Sequence, residues 1–560
     1  LNIGTEYGVG YGYDGYGRLN QITANGSELF TYEYLANSDL VSTITRPNDL
    51  QTTFAYETHR NLLNTVTNEY DGTTVSGYSY TNDAIGRRTG MGRTGSAFSA
   101  ADTINYTYND RSEVTGALSN SVSAYDYGYD FDNIGNRLTS RLGAASATYT
   151  ANNLNQYTGV VTGGNTYMPS YDADGNITGV TLGDSTFSAA WNAENRLTMA
   201  TSPAGKVEFT YDYMGRRVEK KVFQLSSGTF QLVKTERFVY DGFKQIEKLD
   251  GGNSNAVLQK ITWQPERLGQ DVPLSIVAVN SDSTTMNYYY FTDANKNVGQ
   301  LMDAAGNVVA KYEYSPFGEV TAQSGAYADA NAFRFSSEYA DAETGLVYYN
   351  YRYYYPMMGR WISRDPIGEK GENNLYEMLN NDTVTSIDKL GLLSVLQALT
   401  WNINGAPSKD ALMRDLCVLR HLGMNTNSFT SDAYFSLQKI IATGSVLFGT
   451  TSLPDTGGEY LSIDGQPSMI IDNSLAGDLQ TRISLMMHEG QHDAHYVMDL
   501  FRESASTYQV QQAVVSAYDA AAADFSTISC CKSGQKKTIH FSRLQQIKHD
   551  CGMGPGPCEE

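Results

Sequence analysis

The residues whose types and spacing point most directly to chemistry stand late in the chain. His488-Glu489-Gly490-Gln491-His492 puts two imidazoles four positions apart on one face of a helix, where both can bind one Zn2+ ion. Glu489 then faces a zinc-bound water as general base, the arrangement used for metal-assisted peptide hydrolysis. Ile483, Met486 and Met487 lead into the motif as a buried helix requires, whereas Gly490 inside it weakens that helix. A catalytic zinc also needs a third protein ligand and one open position. His495 and Asp499 extend the same face, but a rise of about 1.5 Å per residue carries both away from the metal.

Cys530, Cys531, Cys551 and Cys558, with His540 and His549 between them, form a second group without a recognisable finger spacing. Disulfides and a further metal site are both open readings, and adjacent Cys530 and Cys531, if oxidised, pair with different partners. The motif at His488 resembles that of the gluzincin peptidases, whose third ligand is a glutamate on the next helix. That resemblance implies Glu503 as the third zinc ligand. Only ten residues separate it from His492, so a helix break near Asp499, acting as an N-cap, is required.

These residues belong to one of two compositions joined in the chain. All five cysteines and six of the seven histidines follow residue 392, whereas only Tyr434, Tyr460, Tyr496, Tyr508 and Tyr518 of the 41 tyrosines do. Such a contrast marks separate modules with a boundary at Asp388-Lys389-Leu390-Gly391-Leu392. The net charge of -21 is shared by both, since residues after Leu392 hold 11 Lys/Arg against 17 Asp/Glu. Neither part offers the basic face that phosphate neutralisation needs, which argues against a nucleic-acid partner. No run of 18 apolar residues predicts a membrane span, and no charged and apolar leader follows Leu1, in a chain that reads as a possible internal fragment.

Before the boundary the chain repeats. Related segments start at Tyr108, Tyr129, Tyr149, Tyr171, Trp191 and Tyr211, in steps of 20 to 22 residues. Each has an aromatic strand start, an Asp/Asn-x-x-Gly-Asn/Arg turn in which Gly or Asn takes φ > 0, and an alternating strand such as Arg216-Arg217-Val218-Glu219. The pattern predicts one hairpin per repeat, stacked side by side, because no single repeat can bury its aromatic face alone.

Three further segments follow in order: 291–320 (FTDANKNVGQLMDAAGNVVAKYEYSPFGEV), 333–371 (FRFSSEYADAETGLVYYNYRYYYPMMGRWISRDPIGEKG) and 374–392 (NLYEMLNNDTVTSIDKLGL). With the YD turns they resemble the rearrangement-hotspot (Rhs) repeat-associated core. The resemblance implies a mainly β shell, a YD-repeat cocoon of stacked hairpins like those of teneurins and insecticidal Tc-toxin subunits. It divides the chain into a YD-repeat shell at 1–290, a core with an autoprotease plug at 291–392, and a smaller α-rich or α+β zincin-like effector domain at 393–560. In such shells an aspartyl autoprotease cuts the chain at the end of the core, which here implies Asp365 and Asp388 as the catalytic pair and Leu392–Leu393 as the scissile bond. One carboxyl of a close pair stays protonated to polarise the carbonyl while the other activates water. Arg364, beside Asp365, is the expected supporting cation. Two departures from the pattern stand out: Lys389 replaces the usual proline, and Tyr355 replaces an upstream aspartate.

These readings describe a polymorphic toxin whose shell encloses its own C-terminal effector, frees it by self-cleavage, and delivers it through a secretion system to a protein substrate in a target cell. A cognate immunity protein is the expected partner and Zn2+ the expected cofactor. The alternatives are a YD-repeat adhesion protein with a non-catalytic zinc-binding tail, or a toxin of another chemistry.

Overall fold

The turn at Asp212 explains how one repeat bends. Its Oδ1 accepts the backbone N–H groups of Met214 and Arg216 at 3.0 and 2.9 Å, and its Oδ2 accepts Arg216 Nε at 2.8 Å. Gly215 sits at φ +76°, a left-handed conformation that costs glycine nothing. The same carboxylate cradle recurs at Asp14, Asp83, Asp132, Asp172, Asp293 and Asp303. Each cradle closes a hairpin with a register shift just before it, at an aromatic strand end in four of them, as between Thr210 and Tyr211.

In the computed structural model of the protein, the described residues are 7–392 except 183–184, 204, 266–270 and 371–372, with the strand Asn2–Ile3 and the later strands named below. Among them the hairpins join into two antiparallel sheets, one of 16 strands from Asn2 to Tyr167 and one of 14 from Ser170 to Ser324. Within each sheet every strand pairs only with its neighbours in sequence, as the stacked-hairpin reading expects. Helix among the described residues is limited to short 3-10 turns such as Leu379–Asn381. None is long and apolar enough to cross a membrane.

The two sheets bury their aromatic faces against each other. Phe30 and Leu50 of the first pack with Leu274, Tyr289 and Phe291 of the second, and Tyr7 donates its hydroxyl to the Ile261 carbonyl at 2.8 Å. Residues 333–392 then lie against both sheets, with Tyr349, Tyr354, Trp361 and Tyr376 fully buried. Polar anchors tie this segment down. Arg217 and Lys220 reach Asp341 at 2.6 and 2.8 Å, Arg88 donates to the Val384 carbonyl at 2.7 Å, and Tyr376 donates to that of Gly175 at 2.7 Å. Removing one partner of a buried ion pair such as Arg217–Asp341 typically costs about 3–5 kcal/mol, so the segment is held firmly in place.

The chain divides into two compact units, Leu1–Thr400 and Trp401–Glu560. In the second, Ser445–Gly449 runs parallel to Gln466–Asp472, which pairs antiparallel with Gly458–Ile463. Phe525–Lys532 and Gln535–Ser542 form a hairpin in which Cys530 and Cys531 lie opposite Lys537 and Lys536, while His540 lies opposite Thr527. The hairpin register therefore does not set His540 across from either cysteine. The zinc motif residues His488, Glu489, His492 and Glu503 lie outside the described residues.

Candidate active site

Two turns of the buried segment bring the acids together. Asp365 opens the first: its Oδ1 accepts Ile367 N–H at 2.9 Å, its carbonyl accepts Gly368 N–H at 3.0 Å, and its own N–H donates to the Leu375 carbonyl at 3.0 Å. Asp388 opens the second. Its Oδ1 gathers the N–H groups of Leu390, Gly391 and Leu392 at 3.0, 2.7 and 3.3 Å. The turn forms with Lys389 in place, so the missing proline is not needed for it.

Gly391 is required where it stands. Its φ is +77°, and an added Cβ would lie 3.0 Å from Tyr349 Cβ and 3.1 Å from the Tyr349 carbonyl oxygen. Beyond the turn, Ser386–Asp388 pairs antiparallel with Ser394–Leu396, Asp388 opposite Ser394. Leu392, the described half of the expected junction, thus belongs to the turn that follows Asp388. Leu393 itself lies outside the described residues.

Arg352 holds the two acids on one nitrogen. Its Nη2 stands 2.8 Å from Asp365 Oδ2 and 3.8 Å from Asp388 Oδ2. Its Nε donates to the Gly391 carbonyl, and its guanidinium lies over the Trp361 ring, 4.1 Å from the centroid. One residue earlier, Tyr351 N–H donates to the Leu390 carbonyl at 3.1 Å. The chain leading to Leu392 is therefore gripped on both sides.

All three side chains are buried, between 3 and 4% exposed. Burial pushes the Asp365 carboxyl up to about 6, against the pull of the Arg352 charge, and neighbouring Asp388 adds to the rise. Burial also raises Asp388, opposed by Arg352 and by the three turn N–H groups. Both carboxyls are thus raised by burial and share the Arg352 charge, and the negative charge of Asp388 adds to the rise at Asp365. The arrangement supplies one acid, one base and a fixed peptide segment, the requirements of hydrolysis without a metal.

Arg364 does not take the supporting place expected of it from its position in the sequence. Its side chain lies against the Gly175 turn, where a Cβ on Gly175 would stand 2.6 Å from Arg364 Nε. Residues adjacent in an irregular segment send their side chains in different directions, and the cation on Asp365 comes instead from Arg352, 13 positions earlier. Arg352 belongs to the Arg-Tyr-Tyr run whose altered end, Tyr355, is legible in the sequence; that run was the available signal. Tyr355 is a core residue, 1% exposed, with its ring 5.4 Å from that of Phe187.

Comparison with known proteins agrees with this fold. Residues 275–384 match the family model described as Teneurin YD-shell. The chain is 30% identical over 198 residues to Double-stranded DNA deaminase toxin A of Burkholderia cenocepacia (strain H111), covering 33% of this chain and 14% of that protein. It is 29% identical over 198 residues to Toxin subunit YenC1 of Yersinia entomophaga, covering 33% of this chain and 19% of that one. The crystal structure of TcdB2-TccC3-Cdc42 superposes with a TM-score of 0.54 at 19% identity, over 69% of this chain and 22% of the other. The chain thus spans less than a fifth of the length of these two curated relatives.

Proposed function

From a YD-repeat β-shell that carries two buried aspartates on one arginine, we propose that the chain is the C-terminal part of a toxin that cuts itself after Leu392 and so frees residues 393–560 as its effector. The observation that carries this reading is the convergence of Asp365, Asp388 and the Gly391 carbonyl on Arg352. Asp388, oriented by three N–H donors, serves as base toward the attacking water. Asp365, its carboxyl raised by burial, serves as acid toward the Leu392 carbonyl and then toward the leaving amine. Arg352 and Tyr351 hold the segment so that the bond is presented in one geometry.

The effector is read as a zinc peptidase with His488, His492 and Glu503 as ligands, a donor set of two imidazoles and a carboxylate that suits zinc. Bound zinc would supply an acidified water and a polarising charge. Glu489 would be the general base and acid beside such a site, holding a proton on its carboxylate and giving it to the leaving amine. A second reading, an effector of another chemistry, is favoured by one observation: the Burkholderia relative is named a deaminase toxin. Delivery to a target cell and neutralisation by a cognate immunity protein belong to the same proposal.

Denaturing gels of wild type, Asp365→Asn and Asp388→Asn test the shell chemistry. Two fragments in the wild type and one intact chain in both variants support it, and an intact wild type overturns it. Glu489→Gln, assayed for toxicity in a susceptible cell, separates the two effector readings, since a toxic variant removes the peptidase.

A further inference from the structure

Lys296 occupies a position that the repeat elsewhere reserves for small residues. The fourth residue of the turn is Gly17, Gly86, Gly135, Gly175, Gly215 or Gly306 in the other aspartate cradles, and Asn or Ser in the related turns at Asn155, Asn195, Ser112 and Ser283, all at positive φ. Lys296 adopts φ +64° within the Asp293–Asn297 turn, which its neighbours Asn295 and Asn297 close in the usual way. A long side chain in the left-handed region is unfavourable, and such backbone is retained where the surroundings impose it or function requires it.

Its amine is not directed to solvent. Lys296 is 0% exposed and meets Asp271, also 0% exposed, at the edge of strand Pro273–Val279. Glu338 stands 3.8 Å from the same Nζ, and its backbone is set by Phe335 and Arg334. A second lysine, Lys244, contacts the other oxygen of Asp271 while lying 5.3 Å from the Trp263 ring centroid and remaining 18% exposed. A buried amine against a buried carboxyl, with a carboxylate beside the amine and a cation on the carbonyl side, has the parts of an amide-forming site.

We propose that Lys296 and Asp271 condense into an intramolecular amide that covalently links the Asp293–Asn297 turn to the start of strand Pro273–Val279. Glu338 relays a proton from the Lys296 ammonium to the Asp271 carboxylate, leaving a neutral amine and a neutral acid. The Lys296 Nζ lone pair attacks Asp271 Cγ, and the resulting oxyanion at Oδ2 is held by the Lys244 ammonium. The bond from Cγ to Oδ1 then breaks as Glu338 moves a second proton from Nζ to the departing oxygen. One N–C bond forms, one C–O bond breaks, and one water leaves with both its protons drawn from the ammonium. No oxidant or other co-reactant is needed. Lys296 is the nucleophile because Glu338 adjoins it and water does not solvate it. Lys244, partly exposed, keeps its charge.

The test is mass spectrometry of the full chain, purified and denatured, with tryptic mapping. In the linked protein trypsin cannot cut after Lys296, so residues 268–311 appear as one peptide lighter than its sequence by one water. Lys296→Arg and Glu338→Gln restore the cut after position 296, with both flanking peptides at the masses of their sequences. Wild-type peptides 268–296 and 297–311, each at its sequence mass, overturn the proposal. So does a link mapped to Lys244, or a water lost with Lys296 still cleavable. The wild-type measurement alone decides, whether or not the variants fold.

Discussion

Changing the pH during self-cleavage probes the acid pair most directly. The chain is refolded from denaturant across pH 5 to 8 with Glu489→Gln to silence the effector, and the appearance of fragments is timed on gels. Burial raises the Asp365 carboxyl from 3.8 to about 6, which corresponds to roughly 3 kcal/mol of preference for the protonated form in the folded shell. The sign follows from linkage. A raised folded value means stability fully present below 3.8 and lost as the pH rises through about 6. Asp388 is raised as well, so the pair gives up its last proton no lower than that. Hydrolysis needs one proton on the pair. The cleavage rate should therefore fall roughly tenfold per pH unit on the alkaline limb, once that last proton is lost. Urea unfolding of uncut Asp388→Asn should move the same way, its midpoint lower at pH 8 than at pH 5. A cleavage rate that rises steadily from pH 5 to 8 would falsify the assignment of Asp365 as the acid.

Arg352→Met leaves two buried carboxylates without their cation, and should cost about 3–5 kcal/mol in urea unfolding and abolish the cut, whereas Arg364→Ala should leave the gel pattern unchanged. A fully stable, fully cleaving Arg352→Met would remove that arginine from the site. For Gly391→Ala the backbone penalty is about 1–2 kcal/mol, and the close approach to Tyr349 adds to it; cleavage should slow at least tenfold on the same gels. Asp212→Ala, far from the acids, should lose about 1–3 kcal/mol through its orphaned turn N–H groups and still cut normally. Metal analysis of the whole chain should find about one zinc, lost in His488→Ala and His492→Ala and kept in Glu489→Gln. Zinc at wild-type level in both histidine variants would place the metal elsewhere.

What could be read from sequence was what short-range bonds decide. A YD turn is closed by an aspartate or asparagine that accepts the backbone N–H four positions ahead and usually the one two ahead, as Asp212 does with Arg216 and Met214, so a twenty-residue repeat declares its own hairpin. Asp388 follows the same rule, and its turn onto Leu390, Gly391 and Leu392 was legible for that reason. Sheet order followed too, since every strand of the two large sheets pairs with its sequence neighbour. The grouping of Arg352 with Asp365 and Asp388 was not legible, nor was Lys296 against Asp271 and Glu338. Sequence adjacency favoured Arg364, yet its side chain went to the Gly175 turn. Those choices were made when the segment 333–392 packed its tyrosines and Trp361 against the two sheets. Burial then removed solvent from whichever charges faced inward, so that each had to find its partner across long stretches of chain.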